Sequence, residues 1–233
     1  MSLFDESEVE AGHKRLASSI SVHIEALAAS VDIVEKALMG ENKVRADSSE
    51  NADYKAISIL GYRVVNDVAA ATKLLDCGYF VQAAALGRDI AEVGMLALYF
   101  AENPEMISEW RLAEEKRRKL FGRPALKASI LNIRKFEFLD EYFGLFSGFG
   151  THPSAASIVA HHDGNQLQRF PYVNERLYVD IHSDIAFTTW HVVDAFGDAY
   201  RAYFQKDPRD LFPAETARFQ SSFGAIRRSL PLE

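Results

Sequence analysis

The chain has 233 residues, 48% of them hydrophobic and 25% charged, with a formal net charge of −7. A chain of this length can bury a full core without disulfides or metals, and its composition is that of a soluble globular protein rather than a disordered one. The acidic balance argues against general affinity for nucleic acid, no apolar run approaches the ~18 residues of a membrane span, and the single Cys77 excludes internal disulfides and cysteine-based zinc sites. The opening run MSLFDESEVE is acidic and lacks a positively charged region, so no secretory signal and a cytoplasmic location are expected.

The periodicity is helical nearly everywhere. From Glu8 to about Met39, Leu16, Ile20, Ile24, Leu27, Val31 and Val34 recur at steps of three and four, which predicts one amphipathic helix ending at Gly40. Residues 41–53 are polar and rich in breakers, and read as a flexible loop. A second helix is expected from Tyr54 to Asp76, closed by Gly78, and a third from Tyr79 to Ala101. Across Cys77–Ala101 only Arg88, Asp89 and Glu92 are charged, so the third helix belongs at the centre of a bundle. Ala83, Gly87, Ala91 and Gly94 share one side of it, where another helix can approach closely. Asn103 with Pro104 signals the start of a fourth helix running to Gly122. Pro124 opens a fifth, which reaches the aromatic stretch Phe136–Phe146. SGFGTHPS at Ser147–Ser154 breaks the pattern. A long helix over Val173–Gln205, a turn at Lys206–Pro213 and a last helix from Ala214 to Ser229 complete the chain. No repeat, sheet pattern or linker is apparent. The expectation is all-α: a single domain over residues 1–233, a bundle of about seven helices around residues 79–101.

Four constellations can carry chemistry. Arg88 and Glu92 stand four residues apart on the central helix, pointing into apolar surroundings where charges must find partners. They can hold a ligand, or form an internal salt bridge that ties this helix to its neighbours, with Arg63, Asn66 and Asp67 of the second helix as possible contacts. In SGFGTHPS the two glycines can expose backbone amides, Thr151 or Ser154 can cap a helix that attracts anions, and His152 can act as a general base. The same stretch also serves as an interhelical turn. Asp180, Asp184, His191, Asp194 and Asp198 form a stripe on the long helix, which reads foremost as a solvated face, with no HExxH pattern; no metal site or cofactor is therefore assigned. Finally, Arg176 and His182 match the Arg-x4–6-His spacing of the HEPN class of helical RNA-targeting proteins, although Leu177 follows where that class has a polar residue.

The charge is unevenly spread. Between Arg111 and Lys135 nine basic residues face two acidic ones, a segment charge of +7 that leaves −14 for the rest. Lys116, Arg117, Arg118, Lys119 and Arg123 within it are an expected anion-binding surface, or else a solvated helix face.

The stretch AAALGRDIAEVGMLALYFAENPEMISEWR (Ala83–Arg111) resembles a bacterial all-helical family of unknown function, distantly HEPN-like. The matches are Arg88 with Glu92, Tyr99, Pro104, Trp110 and the loop His152-Pro153-Ser154. The resemblance implies a bundle in which Arg88, Glu92 and His152 converge on one pocket. Function is left at a best reading: an RNA- or nucleotide-associated protein of a bacterial defence or stress system, in which Arg88 stabilises a phosphate, Glu92 orients it and His152 exchanges a proton. The alternatives are a non-catalytic homo-oligomeric interaction module, as a homodimer burying Phe136–Phe149, and a metal-dependent small-molecule enzyme at the Asp/His stripe. RNA or nucleotide and a second copy of the chain are thus the expected partners, with no membrane. Whether it is an enzyme stays open.

Overall fold

A computed structural model describes residues 6–45, 52–113, 117–151, 158, 161–162, 166–167 and 171–229. In order these form α1 (Ser7–Lys14), α2 (Ser21–Arg45), α3 (Ala52–Asp76), α4 (Phe80–Glu102), α5 (Met106–Leu112), α6 (Arg117–Phe121), α7 (Arg123–Ile130), α8 (Arg134–Phe146), a π-turn (Ser147–Thr151), α9 (Glu175–Phe204), α10 (Pro208–Leu211) and α11 (Pro213–Ser229). The fold is all-α, with no strand among the described residues beyond one isolated bridge between His162 and Leu167. No described helix is long and apolar enough to cross a membrane.

There are more helices than the seven expected, because three predicted helices are each divided and the expected turn Lys206–Pro213 contains the short α10. The first breaks between α1 and α2, where Arg15–Ser19 close turns onto Gly12, His13, Lys14 and Leu16. Its second part runs past Gly40 to Arg45, and α3 starts at Ala52. The expected loop 41–53 is therefore helical at both ends, and its middle, 46–51, lies outside the described residues. The fourth predicted helix starts later than Asn103. The Asn103 side-chain amide donates to Tyr99 O at 3.0 Å, so this residue closes α4 rather than opening the next helix. Pro124 does sit in the first turn of α7, as its fixed φ favours. On α9 the Asn174 side chain accepts from Leu177 N at 3.0 Å and caps the helix start.

The core is one continuous apolar cluster built around α4, which α3, α8 and α9 flank. The small-residue side of α4 does what its sequence promised, but toward two neighbours. A Cβ on Gly94 would lie 2.5 Å from Val192 of α9 and 2.9 Å from Leu139 of α8. One on Gly87 would lie 2.8 Å from the Phe146 ring. With both helices this close, the charged residues of α4 are pushed to the remaining side, where α3 and α5–α8 leave a gap.

Candidate functional site

That gap is a cleft of about 380 Å³, lined by polar Arg63, Arg88, Asp89, Glu92 and Arg123 and by Trp110, Phe121 and Phe143 among its apolar walls. It lies in the size range of small-molecule sites, apolar with a few convergent polar groups. Its charges are unequally engaged. Arg63 grips Asp89 through two hydrogen bonds, Nε to Oδ2 at 2.6 Å and a terminal nitrogen to Oδ1 at 2.5 Å, the fork geometry that suits a carboxylate. Those bonds raise the Arg63 pKa against the opposing effect of burial. Arg123 donates to Asp140 at 2.5 Å and Lys127 does so at 2.9 Å, and together they hold the Asp140 carboxyl below the usual carboxylate range.

Arg88 differs. Among the described residues its one ion-pair partner is Glu92, at 3.6 Å, too far for a good hydrogen bond. Both side chains are about one-third exposed, at 33% and 36%. The Arg88 guanidinium lies 4.7 Å from the Phe143 ring centroid and that of Arg123 lies 4.9 Å from it, so two cations meet on one aromatic ring. This gives the cleft a cationic end at Phe143. At the other end Phe121 and Trp110 stand against Phe100, with centroids 6.3 and 5.7 Å from it.

One turn along α3 from Arg63 stands Asp67, whose Oδ2 is buried without a hydrogen-bond partner and 3.9 Å from Arg63 Nε. Burial, then the adjacent Asp89 carboxyl, raises its pKa to about 7. Asp67 therefore carries a proton through much of the neutral range.

The other expected site residues fall elsewhere. His182 is fully buried on α9, with neither ring nitrogen hydrogen-bonded, and burial lowers its pKa to about 3. The Tyr178 ring meets it edge-on. Arg176 is 89% exposed and pairs with Asp180 at 3.4 Å. The Arg176–His182 spacing thus puts one residue in solvent and the other in the core. His152 and Ser154 lie outside the described residues, as does Lys116; Thr151 ends the π-turn, and Arg117 and Arg118 lie on α6. Lys119 is exposed and Arg123 lines the cleft.

The basic segment is extensively neutralised. Arg111 pairs with Asp53 at 2.9 Å, Lys127 and Arg123 with Asp140, and Lys135 with Asp194 at 2.5 Å and Asp198 at 2.6 Å. Arg134 lies over the Phe138 ring at 5.9 Å. The carboxylate stripe of α9 is correspondingly not a free solvated face. Asp194 and Asp198 also bind Arg209 at 2.6 and 2.7 Å, and Asp207 binds it at 2.8 Å. His191 is enclosed by Phe138, Phe187, Trp190 and Phe223. Among the described residues one group, Glu6, Glu10 and Cys77, has metal-ligand spacing, and there Lys73 and Cys77 both donate to Glu10. Phe136, Phe143 and Phe146, the rings expected at a dimer interface, are buried within this chain.

The sequence singled out Arg88 and Glu92 and named Arg63 and Asp67 as possible contacts of their helix; in the fold Arg63 reaches that helix through Asp89. Trp110 was noted only as a family match, while Phe121 and Phe143 carried no signal, since an apolar residue on a helix face reads as core until its neighbours are known.

The chain matches no family model, no curated protein and no solved structure. The likeness of Ala83–Arg111 to the HEPN-like helical family rests on the motifs alone.

Proposed function

We propose that the α3–α4 cleft binds a small organic anion with a planar ring, of which a nucleotide is the leading class. The observation that carries this reading is Arg88. It lines a nucleotide-sized cleft and, among the described residues, makes no hydrogen bond to a carboxylate, Glu92 standing 3.6 Å away, while the neighbouring Arg63 and Arg123 are each hydrogen-bonded to an aspartate. A phosphate at the Phe143 end would offer two oxygens to the planar, two-pronged guanidinium fork. A base would lie along the Trp110 wall, with Glu92 as an acceptor for its ring or amino N–H groups. A nucleotide is favoured over an RNA strand because Arg111, Arg123, Lys127 and Lys135, which would have tracked a phosphate backbone, spend their charge on aspartates of the same chain.

Isothermal titration with nucleoside monophosphates and with sulfate tests the reading, comparing wild type with Arg88→Gln. Wild type is expected to bind and Arg88→Gln to lose the binding. The variant should keep its stability within about 1 kcal/mol, since a pair one-third exposed and 3.6 Å apart contributes little. Absence of binding to any of these anions, or equal binding by the variant, overturns the proposal.

A further inference from the structure

We infer that an anion enters this cleft together with a proton, which Asp67 holds against Asp89. The inference rests on the anion-binding reading and adds its regulation. Four cations, Arg63, Arg88, Arg123 and Lys127, face three carboxylates, Asp89, Glu92 and Asp140, in and beside the cleft. With Asp67 protonated the group keeps one positive charge in excess to attract an anion; with Asp67 ionised that excess is cancelled and the attraction is lost. The geometry supports a shared proton independently. Asp67 Oδ2 is buried with no hydrogen-bond partner among the described residues, and it lies 3.9 Å from the same Arg63 Nε that donates to Asp89 Oδ2 at 2.6 Å, which sets the two carboxyls side by side while both Asp89 oxygens already accept from Arg63. Two carboxylates so placed cannot both ionise without cost, and a protonated Asp67 converts the repulsion into a hydrogen bond donated to Asp89.

The charged groups that set this balance come from each side. Arg63 is on Asp67's own helix, Asp89, Glu92 and Arg88 come from α4, Arg123 and Lys127 come from α7, and Asp140 comes from α8. The other elements packed on α3 direct their polar groups elsewhere: Glu10 of α1 meets Lys73, Lys36 and Asp32 of α2 meet Glu215 and Arg218 of α11, Tyr178 of α9 meets Asp76, and Arg111 and Ser108 of α5 meet Asp53. Asp67 thus acts through the Arg63–Asp89 pair as a positioning residue and has no direct part in gripping the ligand.

Sulfate is the probe, because its own charge does not change across the neutral range. Titrations at pH 6, 7 and 8, each in two buffers of different ionisation enthalpy, count the protons taken up. For wild type the expectation is uptake approaching one proton at pH 8, with Kd rising about tenfold per pH unit above 7. Asp67→Asn mimics the protonated acid. It should bind with no proton uptake and nearly constant Kd, tighter than wild type at pH 8. Sulfate binding by wild type without uptake or pH dependence overturns this inference and leaves the anion-binding reading standing. Absence of sulfate binding at every pH overturns this inference, and absence of nucleoside monophosphate binding as well overturns the anion-binding reading. A titration of the Asp67 carboxyl carbon by NMR in the free wild-type protein needs no variant: a midpoint near the ordinary aspartate value also refutes the inference.

Discussion

Replacing Asp67 by Asn should stabilise the protein at alkaline pH far more than at acid pH. Asp67 has an ordinary carboxyl pKa of 3.8 that rises to about 7 in the fold, first through burial and then through Asp89. Its side chain is only 15% exposed, so solvent screens the effect little. Between those two values the native chain binds a proton that the unfolded chain has released. Stability therefore falls as pH rises through that window, by about 1.4 kcal/mol per pH unit, and levels off above about 7. The whole displacement corresponds to an upper bound of about 4 kcal/mol, of which about 3 kcal/mol falls between pH 5 and pH 8. Asn keeps the shape, donates to Asp89 and does not titrate. Urea unfolding of wild type and Asp67→Asn at both pH values reads the difference directly. The stabilisation by Asn should be larger at pH 8 by up to about 3 kcal/mol, or about 2–4 °C of melting temperature for each kcal/mol in a chain of this size. An equal difference at the two pH values, or a larger one at pH 5, refutes the claim that Asp67 is held neutral by its neighbours.

Two further outcomes follow from the core and the base of α9. Arg209→Met should cost about 3 kcal/mol at neutral pH, because Asp194, Asp198 and Asp207 lose a largely buried partner. The folded pKa values of Asp198 and Asp207 are lowered despite the opposing effect of burial, because Lys135 and Arg209 hold the former and Arg209 the latter. The stability they supply is present above the ordinary aspartate pKa and is lost as pH falls through the lower folded value, so the variant's deficit should shrink at acid pH; a deficit constant down to acid pH, followed by chemical denaturation, refutes the assignment. His182→Leu should make the protein less sensitive to acid: burial, then the charges of His23 and His13, brings the folded pKa to about 3, so wild type loses about 1.4 kcal/mol per pH unit as pH falls below 6.5. Melting curves of wild type and variant that stay parallel between pH 7 and pH 4 would show that His182 is already charged in the native state.

The neutralised basic segment changes how the charge asymmetry of this chain is understood. A run that carries +7 over residues 111–135 looks like a footprint for a polyanion as long as only sequence neighbours are counted. In the fold, Lys135 of α8 sits between Asp194 and Asp198 of α9, and Arg111 of α5 reaches Asp53 of α3. Among the described residues the segment is in part a fastener between helices.

What the sequence by itself determined is local. Apolar spacing identified helices over α3, α4, α9 and α11, because a helix face is set by residues three and four apart and needs no knowledge of the rest of the chain. The near-absence of charge on residues 77–101 marked α4 as central, and its glycines marked where neighbours would press. The helix ends were less legible: Asn103 and Gly40 carry the right chemistry for caps, yet one closed the preceding helix and the other was passed over, since packing outweighs a cap preference of about 1 kcal/mol. Tertiary structure alone decided which charges meet. Arg63 lies 26 residues from Asp89, and Lys135 lies 63 from Asp198. A cation can pair with any carboxylate that the fold brings within reach, and reach is set by how α3, α4, α7 and α8 lean on one another. That is also why, of the three arginines lining the cleft, Arg88 is the one without a hydrogen-bonded carboxylate among the described residues.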